Sequence, residues 1–167
     1  MEECGLETVI KKAKLWQAQG KSWHFHLLTP DCVFNTRRHG YALALENETD
    51  GQAYVAYSDQ SPMEADHELV ILLYGDEILA EDKITSAPTN EQMQLILKRA
   101  RELNERKISW HHHVLSPACI FNSHKGQWNI FFEDKRENEV VEAVYDGEPV
   151  DDIRQIEILF FAQEDAD

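Results

Sequence analysis

Residues 22–35 read SWHFHLLTPDCVFN, and residues 109–122 read SWHHHVLSPACIFN. The two stretches are 87 residues apart, align without a gap and are identical at nine of 14 positions. Self-similarity at one fixed spacing indicates an internal duplication, and it changes how the rest of the chain is interpreted. The sequence therefore predicts two related halves in the 167 residues.

An amphipathic helix is predicted at residues 6–19, before the first stretch, and its apolar positions recur 87 residues later at 93–103. After each helix the apolar period changes from helical spacing to two, which is typical of a β-strand. The first of these strands places Trp23 and Phe25 on one face. We expect that face to be covered by the helix.

Further strands are predicted at 32–35, 41–46 and 52–57, separated by turn residues. Residues 69–74 form a short apolar run that is rich in β-branched residues, which favours a buried strand, with a helix through Leu79 as the alternative. The corresponding run in the second half is 156–161.

These elements predict an α+β fold built by tandem duplication. Each half has one N-terminal helix followed by an antiparallel sheet of about five strands, and the halves pack by pseudo-two-fold symmetry. The expected boundaries are 1–80 for the first α+β repeat, 81–92 for a linker and helix cap, and 93–167 for the second repeat. Halves of this size bury a smaller share of their surface than longer chains do, so they are expected to pack on each other and fold as one cooperative unit.

Charge and hydropathy exclude several functional classes. The formal net charge is −15, whereas a nucleic-acid-binding surface needs clustered Lys and Arg. No apolar run approaches the roughly 18 residues that span a bilayer, and the acidic N-terminus does not resemble a secretory signal. The sequence thus predicts a cytoplasmic protein that binds neither nucleic acid nor membrane, with its three cysteines reduced.

The candidate metal ligands are His24, His26, His111 and His113. The two histidines of each pair lie two residues apart on a predicted strand, so both side chains leave the same face. Neutral imidazole suits Zn, Cu, Fe and Ni. The sequence therefore predicts a transition metal as the cofactor, with zinc as the first choice, and otherwise no cofactor. The four imidazoles could converge on one site or on two close ions, or each pair could line its own pocket.

Residues near the His pairs offer further candidate ligands. If each pair has its own pocket, Asn35, Asn122 or an acidic group of the neighbouring hairpin could complete the shell. Cys32 and Cys119 are expected to be small buried hydrophobic residues, because a cysteine on the hairpin strand lies more than about 10 Å from the first histidine at 3.4 Å per residue.

His112 replaces Phe25 on the core face. It is either a buried histidine with a hydrogen-bond partner or a sign that this face opens to a cleft. His39, His67 and His124 lie outside the two stretches and receive no role.

Two functional hypotheses of different class follow. In the first, the protein binds a metal at the His-x-His pairs, and the sequence leaves open whether it is an enzyme and which residues would be catalytic. In the second, it is a non-enzymatic module that binds a small molecule or a protein, and the histidines are structural.

Overall fold

The computed structural model describes residues 2–30, 32–35, 40–134 and 139–163. The described part of the chain forms an α+β fold with four α-helices and two sheets. It divides into two compact units, Met1–Asp76 and Glu77–Asp167. Among the described helices, none has the length and apolar character that crossing a membrane requires.

Unit 1 contains a four-stranded sheet in the order β1-β4-β3-β2, flanked by two helices. Among the described strands of this sheet, only β1 and β4 pair in parallel, over two residues. The elements are β1 (Glu2–Glu3), α1 (Leu6–Ala18), β2 (Trp23–Leu28), β3 (Tyr41–Asn47), β4 (Ala53–Ser58) and α2 (Met63–Tyr74).

Helix α1 covers one face of the unit 1 sheet. The spacing of apolar residues along α1 and along β2 determines which face this is. Val9, Ala13 and Trp16 recur one and two turns apart on α1 and are all buried. The indole nitrogen of Trp23 donates a hydrogen bond of 2.7 Å to the side chain of Gln17. Trp23 therefore lies on the helix side, as predicted, and the histidines of β2 point to the opposite side.

Unit 2 contains a three-stranded antiparallel sheet in the order β5-β6-β7, with a helix before it and a helix after it. Short 3-10 helices at Asp76–Leu79 and Glu81–Lys83 precede these elements in the chain. The elements are α3 (Glu91–Glu105), β5 (His111–Leu115), β6 (Trp128–Asp134), β7 (Glu139–Tyr145) and α4 (Val150–Ala162).

Two side-chain contacts fix the helices of unit 2 on its sheet. The indole nitrogen of Trp110 donates to Asn104 on α3 at 2.8 Å, the counterpart of the Trp23–Gln17 bond. Tyr145, at the end of β7, donates to Asp152 at the start of α4 at 2.6 Å. Burial, together with this hydrogen bond, raises the pKa of the Tyr145 hydroxyl.

The prediction of buried strands at 69–74 and 156–161 was wrong, because both runs are helical. They belong to α2 and α4. The buried positions of α2 are Asp66, Leu69 and Val70, which are three and four residues apart and so share one helix face. A short, almost wholly apolar run does not distinguish a period of two from one of 3.6. Pro62 and Pro149 are the N-cap residues of these two helices.

The predicted sheets of about five strands were also too large. The observed sheets have four and three strands. Residues 32–35, predicted as a strand, form a turn in which the backbone nitrogens of Cys32 and Asn35 donate to the carbonyls three residues before them. The parallel strand β1 was not predicted, since two residues give no measurable period.

Candidate metal-binding site

The first His-x-His pair lies on β2 in unit 1, on the face that α1 does not cover. The rings of His24 and His26 have centroids 5.0 Å apart and are tilted by 54°. Their exposed fractions are 5% and 4%. The structure therefore brings the two predicted ligands of unit 1 together in a site from which water is almost excluded.

Carboxylates lie beside both ring nitrogens of His24. Glu46, directly opposite on β3, places Oε2 at 2.9 Å from Nε2. Glu48, at the start of the following turn, places Oε1 at 2.7 Å from Nδ1, and its other oxygen accepts a hydrogen bond from Ser22. Two acidic groups thus hold the imidazole of His24 in one orientation, and Ser22 in turn holds Glu48 in place.

The second pair lies on β5 in unit 2 with nearly the same geometry. The centroids of His111 and His113 are 5.3 Å apart, and the exposed fractions are 1% and 2%. Glu133 lies directly opposite His111 on β6, with Oε2 at 2.6 Å from Nε2. Glu133 stands 87 residues after Glu46, so the same His–Glu cross-strand pair occurs in each unit.

Burial keeps the second imidazole of unit 1 neutral. Desolvation lowers the pKa of His26 well below its ordinary value, and the neighbouring charge on His24 lowers it further. A neutral imidazole is the form that offers a lone pair to a metal ion, so no proton has to be removed from His26 near pH 7.

The cysteines Cys32 and Cys119 form no disulfide and have no exposed surface, as predicted for small buried residues. The buried histidines and cysteines of the described residues include groups that could hold a metal ion. Within each unit, the ligand atoms of the two paired histidines lie within 4.8 Å of one another, which two imidazoles on one ion require.

Asn35 and Asn122, considered above as extra ligands, organise the loops after β2 and β5. The amide nitrogen of Asn35 donates to the carbonyls of Thr29 and Gly40 at 2.8 and 2.9 Å. That of Asn122 donates to Ser116 and Gln127 at 2.9 and 2.8 Å. Because each amide nitrogen donates to carbonyls at both ends of its loop, both residues hold the loop ends together, and we call them loop ties.

His112 does not open a cleft in the helix-covered face. Its Nε2 lies 2.8 Å from Oε1 of Glu157 on α4, and both side chains are buried. Its ring also packs on Phe160, with centroids 4.9 Å apart. The first of the two alternatives, a buried histidine with a partner, is the one observed.

The carboxylates Glu46 and Glu133 were not named in advance. The only available signal was their common spacing of 87 residues, identical to the spacing of the His pairs. Their role depends on strand register, which pairs His24 with Glu46 and His111 with Glu133. Comparisons of the chain with protein-family models, with curated proteins and with solved structures gave no match.

Proposed function

We propose that this protein binds a transition metal, zinc first, at the pairs His24/His26 and His111/His113. The observation that carries the proposal is the presence, in each unit, of two buried imidazoles about 5 Å apart on one strand face. Two imidazoles placed in this way can offer two ring nitrogens to one ion, and imidazole is a ligand that suits Zn, Cu, Fe and Ni.

The remaining ligands that we propose are acidic groups and thiolates. Glu46 and Glu133 already touch the first imidazole of each pair, where a carboxylate can either bind the ion or orient the ring. Cys32 and Cys119 are the buried thiols, and thiolate together with imidazole forms the donor set that zinc prefers.

A structural role for the metal fits the burial better than a catalytic one. Catalytic zinc keeps one coordination position open to water or substrate, whereas structural zinc is enclosed by four protein ligands. The four histidines are at most 5% exposed. We therefore propose that the metal stabilises the folded protein.

We further propose that the two units arose by duplication, with one metal site each. In both units a helix, three antiparallel strands and a second helix follow in the same order. The Trp–helix hydrogen bond, the His–Glu pair and the asparagine-tied loop occur in both, at positions 87 residues apart. Three independent contacts at one spacing support a common origin, and they extend the likeness beyond the 14-residue stretch.

One observation favours the alternative, a binding module with structural histidines. His24 contacts two carboxylates, which is enough to hold a charged imidazole without a metal. This alternative predicts a stable protein that contains no metal and that a chelator does not affect.

Elemental analysis of untagged protein distinguishes the two. We expect two metal ions per chain, and one ion after either His26→Ala or His113→Ala. His67→Ala, on α2 and outside both pairs, is the matched control and should retain both ions. Metal-free protein that also fails to take up Zn²⁺, Co²⁺, Ni²⁺ or Cu²⁺ would refute the proposal.

Cobalt substitution tests the thiolates. A Co²⁺–thiolate bond gives an ultraviolet charge-transfer band that imidazole and carboxylate ligands do not give. Cys32→Ala and Cys119→Ala are each expected to remove about half of that band, which assigns one thiolate to each site. A Co²⁺ spectrum without the band would remove the cysteines from the ligand set while leaving the histidines in it.

A further inference from the structure

A second polar cluster lies in unit 2, made of His124, Glu142 and Asn129. Nε2 of His124 lies 3.2 Å from Oε2 of Glu142, and Nδ2 of Asn129 lies 3.3 Å from Oε1 of the same carboxylate. The cluster runs from the surface into the interior, since the His124 side chain is 41% exposed, Glu142 is 32% exposed and Asn129 is fully buried.

The two contacts of Glu142 are long for hydrogen bonds, since N–H···O bonds in proteins are typically about 2.7–3.2 Å long. Their lengths also match the separation of two ligand atoms on one ion. Two ligand atoms that each lie about 2.1 Å from one ion, at tetrahedral or octahedral angles, are about 3.0–3.4 Å apart. Both contacts of Glu142 fall in that interval.

The buried amide of Asn129 supplies the second observation. Its oxygen, Oδ1, is buried and has no hydrogen-bond partner among the described residues. Buried acceptors are rarely left in this state, and each case calls for a ligand or a water. In the structure Nδ2 faces Glu142, and half a turn of the amide would put Oδ1 there instead. A cation bound between the two oxygens would then offset their repulsion.

The corresponding positions of unit 1 show that the sheet does not need these polar groups. The residues 87 positions earlier are Ala42 and Val55, both buried on the same strands and the same face. A buried asparagine in place of Ala42 costs free energy as long as one of its amide atoms stays unpaired, as Oδ1 of Asn129 does among the described residues.

The loop that carries His124 holds it in place. Its backbone nitrogen donates to Oδ1 of Asn122 at 2.9 Å, and its carbonyl accepts from the backbone nitrogen of Gln127 at 3.1 Å. Asn122 in turn ties the two ends of the loop. The imidazole is therefore fixed near Glu142, although its ring is partly exposed.

We propose that His124, Glu142 and Asn129 bind a divalent transition-metal ion in a site that is separate from the two His-x-His pairs. An imidazole nitrogen, a carboxylate oxygen and an amide oxygen form a mixed N/O donor set that accepts ions such as Mn²⁺ and Zn²⁺. Three protein ligands and partial exposure leave coordination positions for water, which is the arrangement of catalytic rather than structural metals.

Manganese is the probe of choice for two reasons. Buried sites of imidazole and thiolate ligands bind Mn²⁺ weakly. The electron paramagnetic resonance signal of Mn²⁺ also measures the concentration of free ion directly. Untagged protein is dialysed into metal-free buffer without chelator, so that the zinc proposed for the His-x-His pairs is retained, and is then titrated with Mn²⁺. Wild type is expected to bind one ion that retains water, seen as enhanced water proton relaxation. The variant Asn129→Ala/Glu142→Val carries the residues of unit 1 and should bind at least about tenfold more weakly. His124→Ala, on the loop, should do the same without touching the sheet.

Two controls separate this site from the paired histidines. Glu91→Gln removes one exposed charge elsewhere, and His113→Ala removes a ligand of the proposed zinc site. Both should bind Mn²⁺ as wild type does. Equal Mn²⁺ affinity in wild type and in Asn129→Ala/Glu142→Val overturns the proposal, and so does the lack of binding by wild type up to about 1 mM, where the binding free energy is only about −4 kcal/mol.

Discussion

Buried histidines in this protein differ by the partner that each one meets. His111 faces a carboxylate across two paired strands, whereas His112, one residue later, faces the opposite side of the sheet and meets Glu157 on a helix. Neighbouring residues of one strand thus carry different chemistry, because successive side chains leave opposite faces. The partner of His112 is an anion inside the core, and its counterpart at position 70 is Val.

This difference leads to a prediction about His112 and Glu157. In unit 1 the corresponding residues are Phe25 and Val70, an apolar pair. We expect Glu157→Val alone, or His112→Phe alone, to lower the free energy of unfolding by about 3–5 kcal/mol, because each leaves a buried ionisable group without its partner. The double variant restores the apolar pair and should lie within about 1 kcal/mol of wild type.

Urea denaturation of the four proteins at pH 7 completes the double-mutant cycle. Glu157→Gln, which keeps the volume and a hydrogen-bonding side chain, should lose less than Glu157→Val. If the two single losses simply add in the double variant, the pair has no coupling, and its role in unit 2 would need another explanation.

The sequence predicted that the two histidines of each pair share a strand face, but it did not predict the carboxylates next to them. That His24 and His26 share a face follows from the local period of two, which needs no knowledge of other elements. That Glu46 lies opposite His24 depends on register and turn length, which are set by non-local pairing. The sequence alone therefore identified histidines and left their acidic neighbours as a general possibility.

At the scale of elements, the largest error concerns α2 and α4, and its cause is physical. Residues 69–74 are apolar almost throughout, so neither a period of two nor one of 3.6 can be read from them. The preceding residues contain the helical signal, since Asp66 and Leu69 are buried three residues apart. Helix α1 was predicted because its polar and apolar residues alternate at helical spacing.

The loops after β2 and β5 give the second prediction, on Asn122. Asn122→Asp keeps the shape and an oxygen that could bind metal, but it removes the two N–H donors that hold Ser116 and Gln127. We expect the free energy of unfolding to fall by about 2–4 kcal/mol, because two carbonyls lose their partners and the new charge is buried. Thermal and urea denaturation measure this loss.

Asn122→Asp also separates the loop role from a ligand role. If Asn122 only holds the loop together, Asn122→Asp should be less stable than wild type. Asn35→Asp should lose stability in the same way in unit 1. A variant that binds metal more tightly and unfolds no more easily would instead make this residue a ligand.

For the molecule as a whole, the two units repeat one design with selected differences. The tryptophan contact, the His–Glu pair and the tied loop occur in both units. Unit 2 differs by the buried pair His112–Glu157 and by the cluster around Glu142. The common features include the His–Glu pair of the metal site that we propose, whereas the differences add polar groups to one unit only.

The last prediction concerns the stability of the whole chain as metal is removed. An ion that binds only the folded state stabilises it by about 2.7 kcal/mol when its concentration is 100 times Kd, so two sites contribute about 5 kcal/mol. At about 2–4 °C per kcal/mol for a chain of this size, chelation should lower Tm by about 10–20 °C. Calorimetry of zinc-loaded and chelated protein measures the shift.

His113→Ala should show about half of this shift in Tm, because one of the two sites remains. Adding Mg²⁺ to the chelated protein should not restore Tm. Equal Tm values with and without chelator would mean that the buried imidazoles are held by carboxylates such as Glu46 and Glu133 and not by metal.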